Sequence, residues 1–157
     1  MRKLLVLLVL GLSLSTISKA QVTDQEMSLV GSILKSEVKV FFAQNIKLAT
    51  DEAEVFWATY DEYNDALKPI SEQRVELLKG VIEKGGELTE DELDAKIMSL
   101  SKILKKRQAI RMKYYKILKK KLGIKVASQF YQIDGYIYTR ISASLNESLP
   151  IIVPVKN

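Results

Sequence analysis

Apolar residues recur at three- and four-residue spacing through most of this chain, and no alternating strand pattern competes with them. That periodicity confines the chain to packed α-helices, each hiding one stripe of side chains. The clearest stripe is Ala53, Phe56, Trp57, Tyr60, Tyr63, Leu67, Ile70, Leu77 or Leu78, and Val81. It opens at Ala49-Thr50-Asp51-Glu52. There Thr50 or Asp51 can cap, and Asp51, Glu52 and Glu54 place negative charge at the positive end of the helix dipole. Gly85-Gly86 stops the helix. Pro69 lies inside it, removing a backbone donor and crowding the carbonyl four residues earlier. This predicts a kink near Asp65, or alternatively a complete break.

Thr89-Glu90-Asp91-Glu92 is a capping box that starts the next helix. Its stripe is Leu93, Ile97, Leu100, Leu104, Arg107, Arg111, Tyr114, Leu118 and Leu122. The helix begins acidic and ends in Lys119, Lys120 and Lys121, matching the macrodipole at both ends. Gly123 marks a stop or a sharp joint, and a last helix over about residues 125–147 carries Val126, Phe130, Ile133, Ile137, Ile141 and Leu145. Pro150 ends it, leaving the short apolar tail Ile151-Ile152-Val153-Pro154. A first helix is expected over residues 24–45, with Met27, Val30, Ile33 or Leu34, Val38 and Phe41 inward.

The expected fold is therefore all-α. A long antiparallel helical hairpin turns at Gly85-Gly86, with additional N- and C-terminal helices. Arms of roughly 50 Å have little core for their surface. A third helix or a partner subunit must cover the stripe, and a dimer is the expected assembly. With the turn near Gly86-Glu87, facing residues should have numbers summing to roughly 173, which predicts cross-helix ion pairs Arg111–Glu62 and Arg107–Asp65.

The first twenty residues read as a secretory leader. Met1, Arg2 and Lys3 precede an apolar run over residues 4–14, and small Ser18 and Ala20 stand where signal peptidase reads. The run is about half the length a spanning helix needs, about 20 residues. The expectation is cleavage between Ala20 and Gln21, which leaves residues 21–157 as a single exported domain with at most peripheral membrane contact. The chain has no cysteine, which excludes a lipoprotein anchor, disulfides and thiolate metal sites. The leader carries three of the 24 basic residues and none of the 19 acids, so the mature charge falls from +5 to about +2 and gives no argument for nucleic acid. Residues 21–100 hold 8 basic and 17 acidic residues, and residues 101–157 hold 13 and 2. The halves should attract each other within the chain, or attract a second copy.

Candidate chemistry is sparse. Without histidine or cysteine there is no Ser-His-Asp or Cys-His system and no nitrogen- or sulfur-ligated zinc. No phosphate-binding glycine loop exists, and Glu90, Asp91, Glu92 and Asp94 sit where a helix start wants them. No enzyme, metal or cofactor is expected. The strongest local feature is basic: Lys102, Lys106, Lys113, Lys116 and Lys120 share one helical face, with Tyr114 and Tyr115 in the same run. A solvated face that neutralises the acidic helix competes with a binding surface for acidic or unfolded polypeptide, or for anionic lipid.

Several segments resemble a known family. Leu48-Ala49-Thr50-Asp51-Glu52-Ala53, followed by Phe56-Trp57, Tyr60 and Tyr63, resembles the first LTxxQ-type segment of the Spy/CpxP-like periplasmic proteins, described as envelope-stress proteins or periplasmic heavy-metal sensors. Leu88-Thr89-Glu90-Asp91-Glu92 resembles the second. Phe130-Tyr131-Gln132-Ile133-Asp134 and Leu149-Pro150-Ile151-Ile152 are similar to the C-terminal helix and tail, so the likeness covers roughly residues 35–153. Ala49 stands where threonine is usual, and Glu52 and Glu92 where glutamine is usual. Relatives proposed to bind zinc are rich in histidine, so the resemblance implies no metal role here. It implies a helical hairpin paired into a curved homodimer whose basic, partly apolar concave face holds unfolded proteins without ATP. The residues this points to are Lys102, Lys106, Arg107, Arg111, Lys113, Tyr114, Tyr115, Lys116 and Lys120, with Leu48, Glu52, Phe56, Trp57, Tyr60, Leu88, Thr89 and Glu92 as the structural motif. The alternative is a sensor or regulator that docks on a membrane signalling protein.

Overall fold

The computed structural model describes residues 37–84 and 87–147. The expected leader, its Ala20–Gln21 junction, the first part of the N-terminal helix, Gly85-Gly86 and the apolar tail lie outside the described residues. Most of those described are helical, with no strand among them. α1 covers residues 37–45, α2 Thr50–Glu83 and α3 Glu90–Glu147. At Gly123 the φ/ψ of 85/171° interrupts α3, dividing it into an N-terminal and a C-terminal limb.

Each start has a local cause. At α2 the cap is Ala49, not Thr50 or Asp51, because the chain is still extended there (φ −72°, ψ 163°). Only half of a capping box forms. The Glu52 carboxylate accepts the Ala49 N–H at 2.8 Å, and an alanine methyl returns nothing. At α3 the box is complete: Thr89 N–H donates to Glu92 at 3.0 Å, and Glu92 N–H donates to Thr89 Oγ1 at 3.3 Å. Lys84 also donates to Glu92. Together with the Thr89 N–H, that lysine holds the Glu92 carboxyl down at about 2. α2 runs unbroken through Pro69, so a complete break there is excluded.

α2 and the N-terminal limb run antiparallel. Lys84 pairs with Glu92, Gly80 lies beside Lys96, Tyr63 meets Tyr114 and Thr59 meets Lys121, so facing numbers sum to 176–180 instead of 173. The C-terminal limb folds back over the same surface: Arg107 and Arg111 reach Asp134, and Gln108 reaches Tyr131. The two arginines therefore do not pair with Glu62 and Asp65. The register is shifted, and Gly123 returns a limb that carries its own carboxylate to them.

The core gathers at the Gly123 end. Phe56, Leu118, Ala127 and Phe130 are fully buried, and Phe42, Tyr60, Tyr63, Tyr114 and Val126 nearly so. In α1 the inward residue is Phe42, whose ring sits 4.8 Å from Tyr60 and 6.1 Å from Phe130; Phe41 lies half-buried and stacks on Tyr136 at 5.4 Å. Toward the α2–α3 turn the core thins to Val81, Leu88 and Ile103, while Ile97 and Leu104, expected inside, are 56% and 39% exposed.

Gly123 decides this arrangement. A Cβ there would meet nothing within 4 Å, so the obstacle to any other residue is its backbone conformation alone. That region of φ/ψ belongs essentially to glycine. Gly123→Ala should destabilise the chain by about 1–3 kcal/mol and favour a straight, uninterrupted α3. Chemical denaturation would show the loss, and gel filtration would show swapped dimers if the limbs straighten.

Candidate functional site

Two features stand out, one internal and one on the surface. The internal one is built on Asp134. Its carboxylate accepts Arg107 Nη2 at 2.9 and 3.2 Å and Tyr63 Oη at 2.7 Å. Arg111 Nε lies 2.9 Å from the same carboxylate. That N–H is not aligned with the oxygen, so the contact is an ion pair by distance and not a directed hydrogen bond. Arg111 also donates to the Tyr131 carbonyl. Each guanidinium stacks on a tyrosine: Arg107 on Tyr138 at 3.7 Å and Arg111 on Tyr131 at 3.5 Å. Arg74 approaches Tyr138 as well, at 5.4 Å, and donates to Ser142 at 3.2 Å. Gly135 makes the room, since a Cβ there would come within 2.5 Å of Arg111 Nη2.

The side chains of Asp134, Arg111 and Arg107 are 10%, 12% and 15% exposed. Burial, and then the Asp134 charge, push the Tyr63 phenol far above its ordinary value, against the smaller pull of the two arginines. Tyr63 therefore stays a protonated donor. Burial likewise pushes Tyr60 up to about 12. The carboxylate accepts from Arg107 and Tyr63 and the phenol keeps its proton for that bond, so the node ties α2 to both limbs of α3. Nothing here points to catalytic activity. No group of three or more carboxylates converges on a metal position among the described residues.

The surface feature is the basic face of α3. Lys102, Lys106, Lys113, Lys116 and Lys120 are exposed. None of them has an ion-pair partner among the described residues, where the pairs are Lys39–Asp61, Lys84–Glu92 and the two arginines with Asp134. Among the described residues, no ion pair joins the two oppositely charged halves. The carboxylates Glu54, Glu62, Asp65, Glu72 and Glu76 are exposed on α2, and the lysines keep to their own outer face.

The other residues singled out from the sequence divide by location. Arg107 and Arg111 turn inward to Asp134, and Tyr114 is buried, with its hydroxyl donating to the Glu62 carbonyl at 3.0 Å. Tyr115 is half-buried, edge-on to Tyr131 at 5.7 Å. Of the motif residues, Phe56, Tyr60 and Leu88 are buried. Leu48 packs at the margin, Trp57 stands edge-on to Phe56 at 5.1 Å, and Thr89 with Glu92 and Glu52 serve helix starts.

Sequence reasoning gave Asp134 no role. The available signal was an acid one position from Ile133, inside the apolar ladder of a strongly basic segment. A lone carboxylate on a buried face needs a cationic partner.

No helix among the described residues is long and apolar enough to cross a membrane. Comparison with known proteins returns no matching family, no matching curated protein and no matching solved structure.

Proposed function

We propose that this chain is an exported, periplasmic binding protein that holds non-native polypeptides without ATP, in the manner of the Spy/CpxP-like proteins that its LTxx-type segments resemble. In this reading the antiparallel arms form the hairpin of a homodimer. The observation that carries the proposal is the unpaired lysine face of α3. Met98 lies within it at 52% exposure. Cations without intramolecular partners speed encounter with acidic segments, and exposed apolar side chains retain them. Arg107, Arg111 and Tyr114 drop out of the capture surface because they are committed to the interior.

A chemically denatured protein diluted into this chain, without nucleotide, should scatter less light than it does alone. Raising ionic strength from about 0.1 M to 1 M shortens the screening length from roughly 10 Å to 3 Å and should weaken the suppression. The Lys106→Glu/Lys113→Glu/Lys120→Glu variant should lose most of it while its helicity is unchanged. No suppression at stoichiometric excess would sink the holding role in favour of a sensor or regulator docking on a membrane signalling protein.

A further inference from the structure

A cleft between α1 and the C-terminal limb of α3 belongs to neither feature described above. Its volume is about 280 Å³, and Phe41, Asn45, Gln129, Gln132, Ile133 and Tyr136 line it. Local spacing brings these side chains together. Phe41 and Asn45 are four residues apart on α1, and residues 129, 132, 133 and 136 recur at three- and four-residue spacing along one face of the limb. The Phe41 and Tyr136 rings stack at 5.4 Å, 12° from parallel, and join the two helices. Ile133, only 8% exposed, adds a buried apolar surface.

Two properties of this lining constrain what it can hold. It carries no charged side chain, although 27% of the chain is charged. A charged ligand would give up hydration there and gain no counter-ion, whereas an uncharged one gives up far less. The polar groups are instead three carboxamides. Asn45 Nδ2 donates to the Phe41 carbonyl at 2.8 Å, so its oxygen is the atom left to accept from a ligand. Gln129 Oε1 is buried with no donor among the described residues. A buried acceptor without a donor lowers stability, and the few such atoms in a folded chain call for a specific explanation. Here the side chain that carries it lines a cleft, where the N–H of a ligand would supply the missing donor.

We propose that this cleft binds a small uncharged carboxamide with an apolar body. The body packs on Phe41, Ile133 and Tyr136, and the ligand N–H donates to Gln129 Oε1. A carboxamide suits the site better than an alcohol, because its carbonyl can also accept from the amide N–H groups of Gln132. The volume lies just below the roughly 300–1,000 Å³ of pockets for drug-sized ligands, which limits the ligand to about one substituted ring. The cleft shares no residue with the lysine face of α3, so the proposal is independent of polypeptide holding.

Benzamide is the probe, titrated into the isotope-labelled full chain while the side-chain amide signals of Asn45, Gln129 and Gln132 are followed by NMR. Saturable shifts at these three signals are expected. N,N-dimethylbenzamide keeps the ring and the carbonyl but has no N–H, and should bind about tenfold more weakly, the worth of one hydrogen bond. Benzoate, anionic and without a donor, should also bind more weakly. Gln129→Leu should weaken benzamide binding by a similar factor and raise the melting temperature by a few degrees, since it removes the stranded oxygen. Tyr136→Ala, at a position 52% exposed, should weaken binding while the fold is kept. No shift at Gln129 with benzamide would overturn the proposal, as would equal binding of benzamide and N,N-dimethylbenzamide. Tighter binding of benzoate would also overturn it and assign the effect to the surface lysines. Undiminished benzamide binding by Gln129→Leu and Tyr136→Ala would do the same for the assignment to this cleft.

Discussion

Replacing Asp134 with alanine should lower the unfolding free energy by about 3–5 kcal/mol, the usual consequence of stripping one partner from a buried ion pair. Arg107 and the Tyr63 hydroxyl lose their acceptor, and Arg111 loses its ion-pair partner. With the arginine side chains only 12–15% exposed, water replaces little of what is lost. Most small domains are stable by only about 5–15 kcal/mol, so this one change removes a large share. Urea unfolding followed by circular dichroism measures it. Asp134→Asn should cost less, because the amide oxygen still accepts a hydrogen bond. The charge argument has a sharper test. In an Asp134→Ala background, Arg107→Leu should recover stability, since it removes one of the two stranded cations, whereas in the wild-type chain it should cost stability. Loss in both backgrounds would show that packing of Arg107 on Tyr138, at 3.7 Å, outweighs its pairing with Asp134.

Phe130→Ala should cost a similar amount, about 3–5 kcal/mol. The ring is fully buried and touches two other elements: it stands edge-on to Tyr63 of α2 at 5.1 Å and lies 6.1 Å from Phe42 of α1. The cavity opens where three helices meet, and no single side chain can close it. The same deletion at Tyr136, which is 52% exposed, should change stability little. A measured difference of less than about 1 kcal/mol between the two would mean that the aromatic cluster is not the centre of the fold. Phe130 and Asp134 are one helical turn apart and share Tyr63 as a neighbour, so their effects should not add.

Periodicity was enough to read the helices of this chain because each stripe is long and uninterrupted. Thr89 with Glu92 and Gly123 were legible as punctuation, since a capping box and a left-handed glycine are local events. Ala49 misled because its cap depends on backbone extension and the reach of Glu52, neither visible as a side-chain signal. Ile97 and Leu104 misled for a different reason. Periodicity shows which side chains share a face, and it does not show whether a partner helix is long enough to cover that face. The lysine face was legible as a face, while its lack of ion-pair partners was not, because pairing depends on how the neighbouring helix is turned.

What the sequence determined alone is the helical class, the joint at Gly123, the amphipathic faces and the lack of histidine and cysteine. These follow from neighbours within one or two turns, where spacing equals geometry. Only the tertiary structure decided what Arg107 and Arg111 pair with. A register shift of a few residues, combined with the fold-back at Gly123, replaced Glu62 and Asp65 with Asp134. Such pairings join residues 23–27 positions apart on limbs whose relative height is fixed by core packing, and that information is spread over Phe42, Phe56, Tyr63, Leu118 and Phe130 together.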